Sequence, residues 1–210
     1  MVGFFIINIF YFARMNKEIE AKFFITNKDL IRKKLSSSDF TLIKREFLMK
    51  RKTFHSELSK GWMRIRDEGD KITMTYKEIT GSTINDVNEI EIIVNNFEEA
   101  SKLLCQTSFK ETSYQENYRE IWRNQDVEVV IDTWPYLQSY IEIEGKSEDI
   151  VKEYSNKLGF NFDKDAYFGG VDVLYKKAYN IDSEDFCKIP TITFNNEDFH
   201  NQLLTYTKNY

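Results

Sequence analysis

Cysteine, histidine and proline are nearly missing from this chain. Of its 210 residues, two are cysteine, two histidine and two proline, and only eight are glycine. Cys105 and Cys187 are too few for a disulfide framework or a zinc knuckle, which points to a reducing, cytoplasmic setting. His55 and His200 leave little room for a histidine-rich metal cluster or a catalytic triad. So little proline and glycine excludes collagen-like and low-complexity classes. A basic surplus is lacking as well: the net charge is −5, so a general nucleic-acid binder held by a basic surface is not expected. Long apolar runs are also scarce. Val2 to Phe12 is nearly all apolar but is interrupted by Asn8, and it is shorter than the roughly 20 residues that cross a bilayer. No basic residue precedes it and no small-residue cleavage site follows, so it does not read as a signal peptide. The simplest reading takes Met15 as the native start and residues 1–14 as an upstream extension, with no membrane partner expected. A membrane-surface anchor is the alternative.

What remains is a chain that can fold. Hydrophobic residues make up 41% and aromatics 15%, enough for a real core. From Lys17 the pattern is strand-like, because side chains at i, i+2 and i+4 share one face of a strand. Glu18, Glu20 and Lys22 then lie on one side, with Ile19, Ala21 and Phe23 on the other. Asn27 reads as a helix cap ahead of Leu30, Ile31 and Leu35, with Ser36–Ser38 ending that helix. Residues 41–54 read as a strand with indistinct faces. Met63–Arg66 and Ile72–Lys77 read as a hairpin around the Asp67–Asp70 turn. It carries Arg64 and Arg66 on one arm and Thr73, Thr75 and Lys77 on the other. Glu89–Ile92 is a further strand. Asn96, with Glu99 three residues on, opens a helix with Phe97, Ala100, Leu103 and Leu104 as its stripe. Strands follow around Lys110, over Tyr118–Arg123, over Val127–Asp132 and over Tyr140–Glu144. Ser147 caps a helix with Ile150, Val151, Tyr154 and Leu158 as its stripe, and Gly159 stops it. Helices are expected over 164–178 and 196–207.

The polar strand faces carry the functional information. Solvent exposure is the usual fate of such a face. Here, however, like charges recur at i, i+2: Glu18/Glu20, Glu89/Glu91, Glu142/Glu144 and Arg64/Arg66. Like charges on one face repel unless counterions are at hand. A closed antiparallel barrel resolves this, with apolar faces outward against helices and ionic faces lining the lumen. The expected class is therefore α+β: about eight antiparallel strands in a barrel, helices outside. Carboxylate pairs are hard-oxygen ligands for Mg²⁺ or Mn²⁺. Lysine and arginine bind phosphate oxygens. A lumen with both suits a metal-bound polyphosphate.

The residues also resemble a known family. Glu18-Ile19-Glu20-Ala21-Lys22 is similar to the opening ExExK signature of the CYTH superfamily, the triphosphate tunnel metalloenzymes. The likeness continues through Trp62–Asp67, Thr73–Lys77, Glu89–Ile92, Tyr114–Trp122, Asp132–Pro135 and Tyr140–Gly145, over roughly 16–180. Class IV adenylyl cyclases, thiamine triphosphatases and inorganic triphosphatases are its best-known members. The resemblance implies a tunnel holding a triphosphate. It makes Glu18, Glu20, Glu142, Glu144 and Asp132 metal ligands, with Glu89 and Glu91 either binding metal or orienting basic residues. It makes Lys22, Arg64, Arg66, Lys77, Lys110 and Arg119 phosphate binders, with Arg123 secondary, and places Lys22, Arg66 and Lys77 nearest the chemistry. The expected function is metal-dependent hydrolysis of a small-molecule triphosphate. Cyclisation of ATP to cyclic AMP and pyrophosphate is the alternative, and a non-catalytic polyphosphate or nucleotide module the third reading. The domain is expected over 15–180. The apolar positions of 181–210 call for docking onto it, or onto a second copy in a homodimer.

Overall fold

The structure is a computed structural model that describes residues 16–17, 19–79 and 87–207. Glu18 and the apolar extension 1–14 therefore lie outside the described residues. Ten strands and seven helices occur among the described residues. In chain order they are β1 (Asn16–Lys17), β2 (Glu20–Phe24), α1 (Lys28–Ser36), β3 (Thr41–His55), β4 (Trp62–Asp67), β5 (Ile72–Ile79), β6 (Val87–Val94) and α2 (Phe97–Cys105). Then come β7 (Lys110–Arg123), β8 (Val127–Thr133), β9 (Tyr140–Gly145), α3 (Glu148–Leu158), α4 (Phe162–Asp165), α5 (Val171–Tyr179), α6 (Ser183–Cys187), β10 (Thr191–Ile192) and α7 (Glu197–Thr207).

The sheet order is β1-β6-β5-β4-β3-β7-β8-β9-β2, and every neighbouring pair along it is antiparallel. Its two outermost strands are successive stretches of one N-terminal segment. Asn16 pairs with Glu89 of β6, and Glu20–Phe24 pair with β9. The sheet therefore curls until its two edges meet in that segment, and the fold is the expected α+β barrel with helices around it.

Period-two alternation divides the strands as the sequence suggests. The outward faces of β2, β8 and β9 (Ala21, Phe23, Val129, Ile131, Ile141, Ile143) are buried against Ile31 and Leu35 of α1 and Val151, Tyr154 and Leu158 of α3. Each fully buried aliphatic of this kind contributes about 1.5–3 kcal/mol. A smaller cluster seats Ala100 and Leu104 of α2 on Phe54 and Ile65. The helix starts follow their caps: Asn27 accepts from the Leu30 N–H at 3.1 Å, Asn96 from Glu99 at 3.0 Å, and Ser147 from Ile150 at 3.3 Å. Gly159 ends α3 at φ +90°, a conformation glycine adopts without penalty.

Three expectations need correction. Leu30 and Leu103 are exposed rather than part of their helices' buried stripes. The two strands expected near Lys110 and over 118–123 are one continuous strand, β7. The helix expected over 164–178 is split into α4 and α5 by the turn through Gly169, at φ +99°. The helix expected over 196–207 is α7, whose Asn196 accepts from the Phe199 N–H at 3.1 Å.

The segment after Asn180 packs on the barrel body. Ile181, Phe186, Ile189, Ile192, Phe199 and Leu203 share a core with Leu174 and Tyr175 of α5 and with Trp134, Leu137 and Tyr140. Phe24 packs against this core too. Tyr140 lies opposite Phe24 in register, and Phe24 shares its strand face with Glu20 and Lys22. The C-terminal helices thus cover the inner faces of β2 and β9 at one end of the barrel.

Candidate functional site

Strand register gathers the ionic residues on the inner face. Lys22 lies opposite Glu142, and Glu20 opposite Glu144. Arg119 lies opposite Asp132, Arg51 opposite Arg66, Arg64 opposite Thr75, and Lys77 opposite Glu89 with Thr75 opposite Glu91. Directly opposed residues point to the same side of a sheet, so one concave face carries this whole set.

Lys22 is almost fully buried. Its ammonium meets a Glu20 carboxylate oxygen and lies 3.2 Å from Glu142 Oε2. Burial alone would lower its pKa; Glu142 and Glu20 outweigh this and hold it above the ordinary value. Glu142 is the mirror case. Burial would raise its carboxyl, but Lys22, Arg119 and Lys77 drive it well below the usual carboxylate range.

Asp132 is fully buried and accepts from Arg119 twice, from Nε at 2.8 Å and from Nη2 at 2.6 Å. Such a two-point fork fixes both position and orientation. Asn117 adds a third donor to Asp132 at 3.2 Å. Asp132 therefore anchors Arg119. Burial and the Asp132 and Glu142 carboxylates also push the Tyr140 phenol well above its ordinary pKa, so it keeps its proton.

On the opposite wall, Glu91 Oε2 lies 3.3 Å from Arg66 Nη2, 2.9 Å from Thr75 Oγ1 and 3.9 Å from Arg64 Nη2. Lys77 Nζ lies 2.7 Å from Glu89. In this geometry Glu89 and Glu91 are paired with the basic residues of this wall. Arg66 also meets Glu68, with Nε 2.8 Å from Oε1. Burial and the nearby Arg64 charge lower its pKa to about 10.

Several polar groups on this face are nevertheless left unfilled by these carboxylates. Arg51 Nε, Arg64 Nε, Thr73 Oγ1 and Ser113 Oγ are buried with no hydrogen-bond partner among the described residues. Unpaired buried polar groups are uncommon, and each calls for a reason. These four lie on adjacent strands β5, β4, β3 and β7, on the face that carries Arg66.

Two predicted residues lie apart. Lys110 sits exposed at the first residue of β7, opposite His55. Arg123 is more than half exposed and paired with Glu128. Glu18 lies outside the described residues. Sequence reasoning missed Arg51, Asn117 and the buried Glu68. Arg51 is hidden in the basic run Lys50-Arg51-Lys52, where alternation vanishes. Only its register with Arg66 and Gln115 reveals its face.

A divalent cation can be tested against the donor set. Among the described residues no three acidic, histidine or cysteine side chains already converge on one metal position. Glu20 and Glu142 do converge on one cationic point, the Lys22 ammonium, with Glu144 in register beside Glu20. Hard carboxylate oxygens around a cationic point fit Mg²⁺ or Mn²⁺ chemistry.

Comparison with known proteins agrees with this architecture. A protein of Methanocaldococcus jannaschii, named as a proposed adenylate cyclase, is 27% identical over 143 residues, spanning 63% of this chain and 79% of the relative. A solved Pyrococcus horikoshii protein shares the fold at a TM-score of 0.63, with 22% identity, over 71% of this chain and 94% of that one. A Vibrio parahaemolyticus structure, also named as a proposed adenylate cyclase, reaches 0.66 at 8% identity, over 77% and 99%. The model of the CYTH domain matches residues 16–166, from β1 to the turn after α4, and this chain belongs to the CYTH domain family.

Proposed function

We propose that this protein is a divalent-metal-dependent hydrolase of a triphosphate bound inside the barrel: inorganic triphosphate, thiamine triphosphate or a nucleoside triphosphate. The observation that carries the reading is the buried, unsatisfied donor set of Arg51, Arg64, Thr73 and Ser113 beside Lys22, Arg66, Lys77 and Arg119. Buried donors without acceptors are costly. A polyanion supplies the missing acceptors, and its charge suits Arg51 and Arg64, which have the fewest close carboxylates.

In this reading Lys22, Arg66 and Lys77 contact phosphoryl oxygens around the reacting phosphorus. Arg64 and Arg119 hold the rest of the chain. Asp132 fixes the Arg119 fork, and Glu91 and Glu89 aim Arg66 and Lys77. Glu20, Glu142 and Glu144 would hold the metal, with Glu18 as the remaining carboxylate of the opening motif. When bound, the metal supplies Lewis-acid stabilisation of charge on phosphoryl oxygens. Water attacks the terminal phosphorus, the bridging P–O bond breaks and orthophosphate leaves. Positively charged donors fixed before the reaction stabilise the charge that spreads over the phosphoryl oxygens. Lys22 links the two functions. As its ammonium turns to phosphate, Glu20 and Glu142 are released to take a metal cation.

Cyclisation of ATP is the second reading, favoured by the name of the Methanocaldococcus relative. The same grip would serve, with the ribose 3′-hydroxyl attacking the α-phosphorus and pyrophosphate leaving. The test is product analysis. Purified protein is incubated with Mg²⁺ or Mn²⁺ and, separately, tripolyphosphate, ATP and thiamine triphosphate, with phosphorus NMR and chromatography as readouts. Orthophosphate without cyclic nucleotide supports hydrolysis. Cyclic AMP with pyrophosphate replaces it by cyclisation. Binding without turnover reduces the protein to a polyphosphate-binding module.

A further inference from the structure

Arg51 differs from the other inner-face cations. It is 7% exposed, yet no carboxylate lies within ion-pairing distance of it among the described residues. Its guanidinium is held by neutral groups. Nη2 donates to Asn117 Oδ1 and lies 3.3 Å from Met49 Sδ. Its Cζ lies 4.6 Å from the centroid of the Trp134 ring. Its Nε has no hydrogen-bond partner among the described residues. Asp132 reaches it only through space and through Asn117, and a buried charge held by neutral groups keeps much of its attraction for an anion.

The platform beneath it comes from the C-terminal segment. Trp134 is 2% exposed and packs with Leu174 and Tyr175 of α5 and Phe199 and Leu203 of α7. Tyr175 donates to the Pro135 carbonyl at 2.6 Å, and Tyr179 donates to the Tyr136 carbonyl. The turn that carries Trp134 is thus tied at two successive carbonyls to α5. Both α5 and α7 lie beyond residue 166, where the family match ends.

We propose that Arg51 is a further anion-contact residue of the triphosphate site, that Trp134 is its positioning residue, and that the C-terminal helices thereby set the covered end of that site. The inference rests on the triphosphate reading above. Arg51 presents Nε to a phosphoryl oxygen, and the Trp134 face holds its charge in place without neutralising it. The Asn117 amide joins the two guanidinium groups into one unit, accepting from Arg51 while donating to Asp132, which grips Arg119.

The test is titration calorimetry with inorganic tripolyphosphate, and with orthophosphate for comparison. Arg51→Met should weaken tripolyphosphate binding about ten- to a hundredfold, the usual worth of a charged hydrogen bond. Unliganded Arg51→Met should melt at or above the wild-type temperature, since it removes a charge crowded by Arg64, Arg66 and Arg119. Trp134→Leu should weaken binding less, Trp134→Phe should restore most of it, and the Arg51→Met/Trp134→Leu double variant should bind no worse than Arg51→Met alone. Additive losses in the double variant would overturn the positioning role of Trp134. Wild-type affinity in Arg51→Met, while Arg64→Met is weakened, would overturn the assignment and leave the triphosphate reading intact. No binding by the wild type would overturn both. Should Arg51→Met fail to fold, Arg51→Gln takes its place under the same expectations.

Discussion

The Arg119–Asp132 fork makes the sharpest quantitative prediction. Asp132 is fully buried, and both its oxygens accept from Arg119. Replacing it by asparagine keeps the shape and one acceptor but removes the charge. Arg119 then keeps one neutral acceptor and, of its carboxylates, only Glu142, at 3.7 Å. Breaking a buried pair by removing one partner's charge costs about 3–5 kcal/mol, and the retained acceptor places Asp132→Asn at the low end, about 3 kcal/mol. For a chain of this size, that should lower the melting temperature by about 6–12 °C. Tripolyphosphate should recover part of the loss, since the anion supplies the charge that Asp132 gave; at a hundred times its dissociation constant a ligand adds about 2.7 kcal/mol. Thermal melts followed by circular dichroism, with and without tripolyphosphate, measure both quantities. A midpoint within about 1 °C of wild type would refute the reasoning. So would a melt that the ligand shifts equally little in both proteins.

Other expectations follow from the same geometry. Arg66→Ala should weaken tripolyphosphate binding about tenfold or more through loss of a charge-assisted anchor, as calorimetry would show; unchanged affinity would contradict the role. Glu20→Gln and Glu144→Gln should keep the fold but lose metal-dependent turnover, and a variant with wild-type turnover would remove that residue from the metal set. Glu142 is held below its ordinary value of 4.5, so its contribution to stability is complete above that pH and is lost as acid protonates it in the folded state. Melting temperature should therefore fall on acidification below about pH 4.5, and Glu142→Gln should show a shallower fall. Gly61→Ala should destabilise by at least about 1–3 kcal/mol by overpacking, because an added Cβ would lie 2.2 Å from the Lys77 carbonyl oxygen; a denaturant midpoint unchanged from wild type would count against it.

Much of this protein is legible without coordinates, for a physical reason. Antiparallel strands with one buried face enforce a two-residue period, so Glu20/Lys22, Arg64/Arg66 and Glu142/Glu144 announce their strands and their shared faces. Local capping chemistry does the same for Asn27, Asn96 and Ser147. Register is what the sequence withholds. That Glu91 serves Arg66, Thr75 and Arg64 together, or that Asp132 meets Arg119, depends on which strands are neighbours. Arg51 was illegible because its own neighbours Lys50 and Lys52 are basic, so no alternation marks its face. The platform under it was illegible because Trp134 and Tyr175 meet only through tertiary packing. Leu30 and Leu103 lie on the apolar spacing of their helices, yet those helices bury narrower stripes than the spacing suggests.

The most direct measurement is a calorimetric titration of the purified protein with inorganic tripolyphosphate, with and without Mg²⁺, at rising salt. The account predicts saturable binding of one triphosphate per chain. That binding should weaken with salt and be reduced in Arg64→Gln and Arg66→Gln, because the inner-face cations carry it. Absence of saturable binding, or binding indifferent to those two substitutions, would contradict the claim that the barrel interior is a triphosphate site.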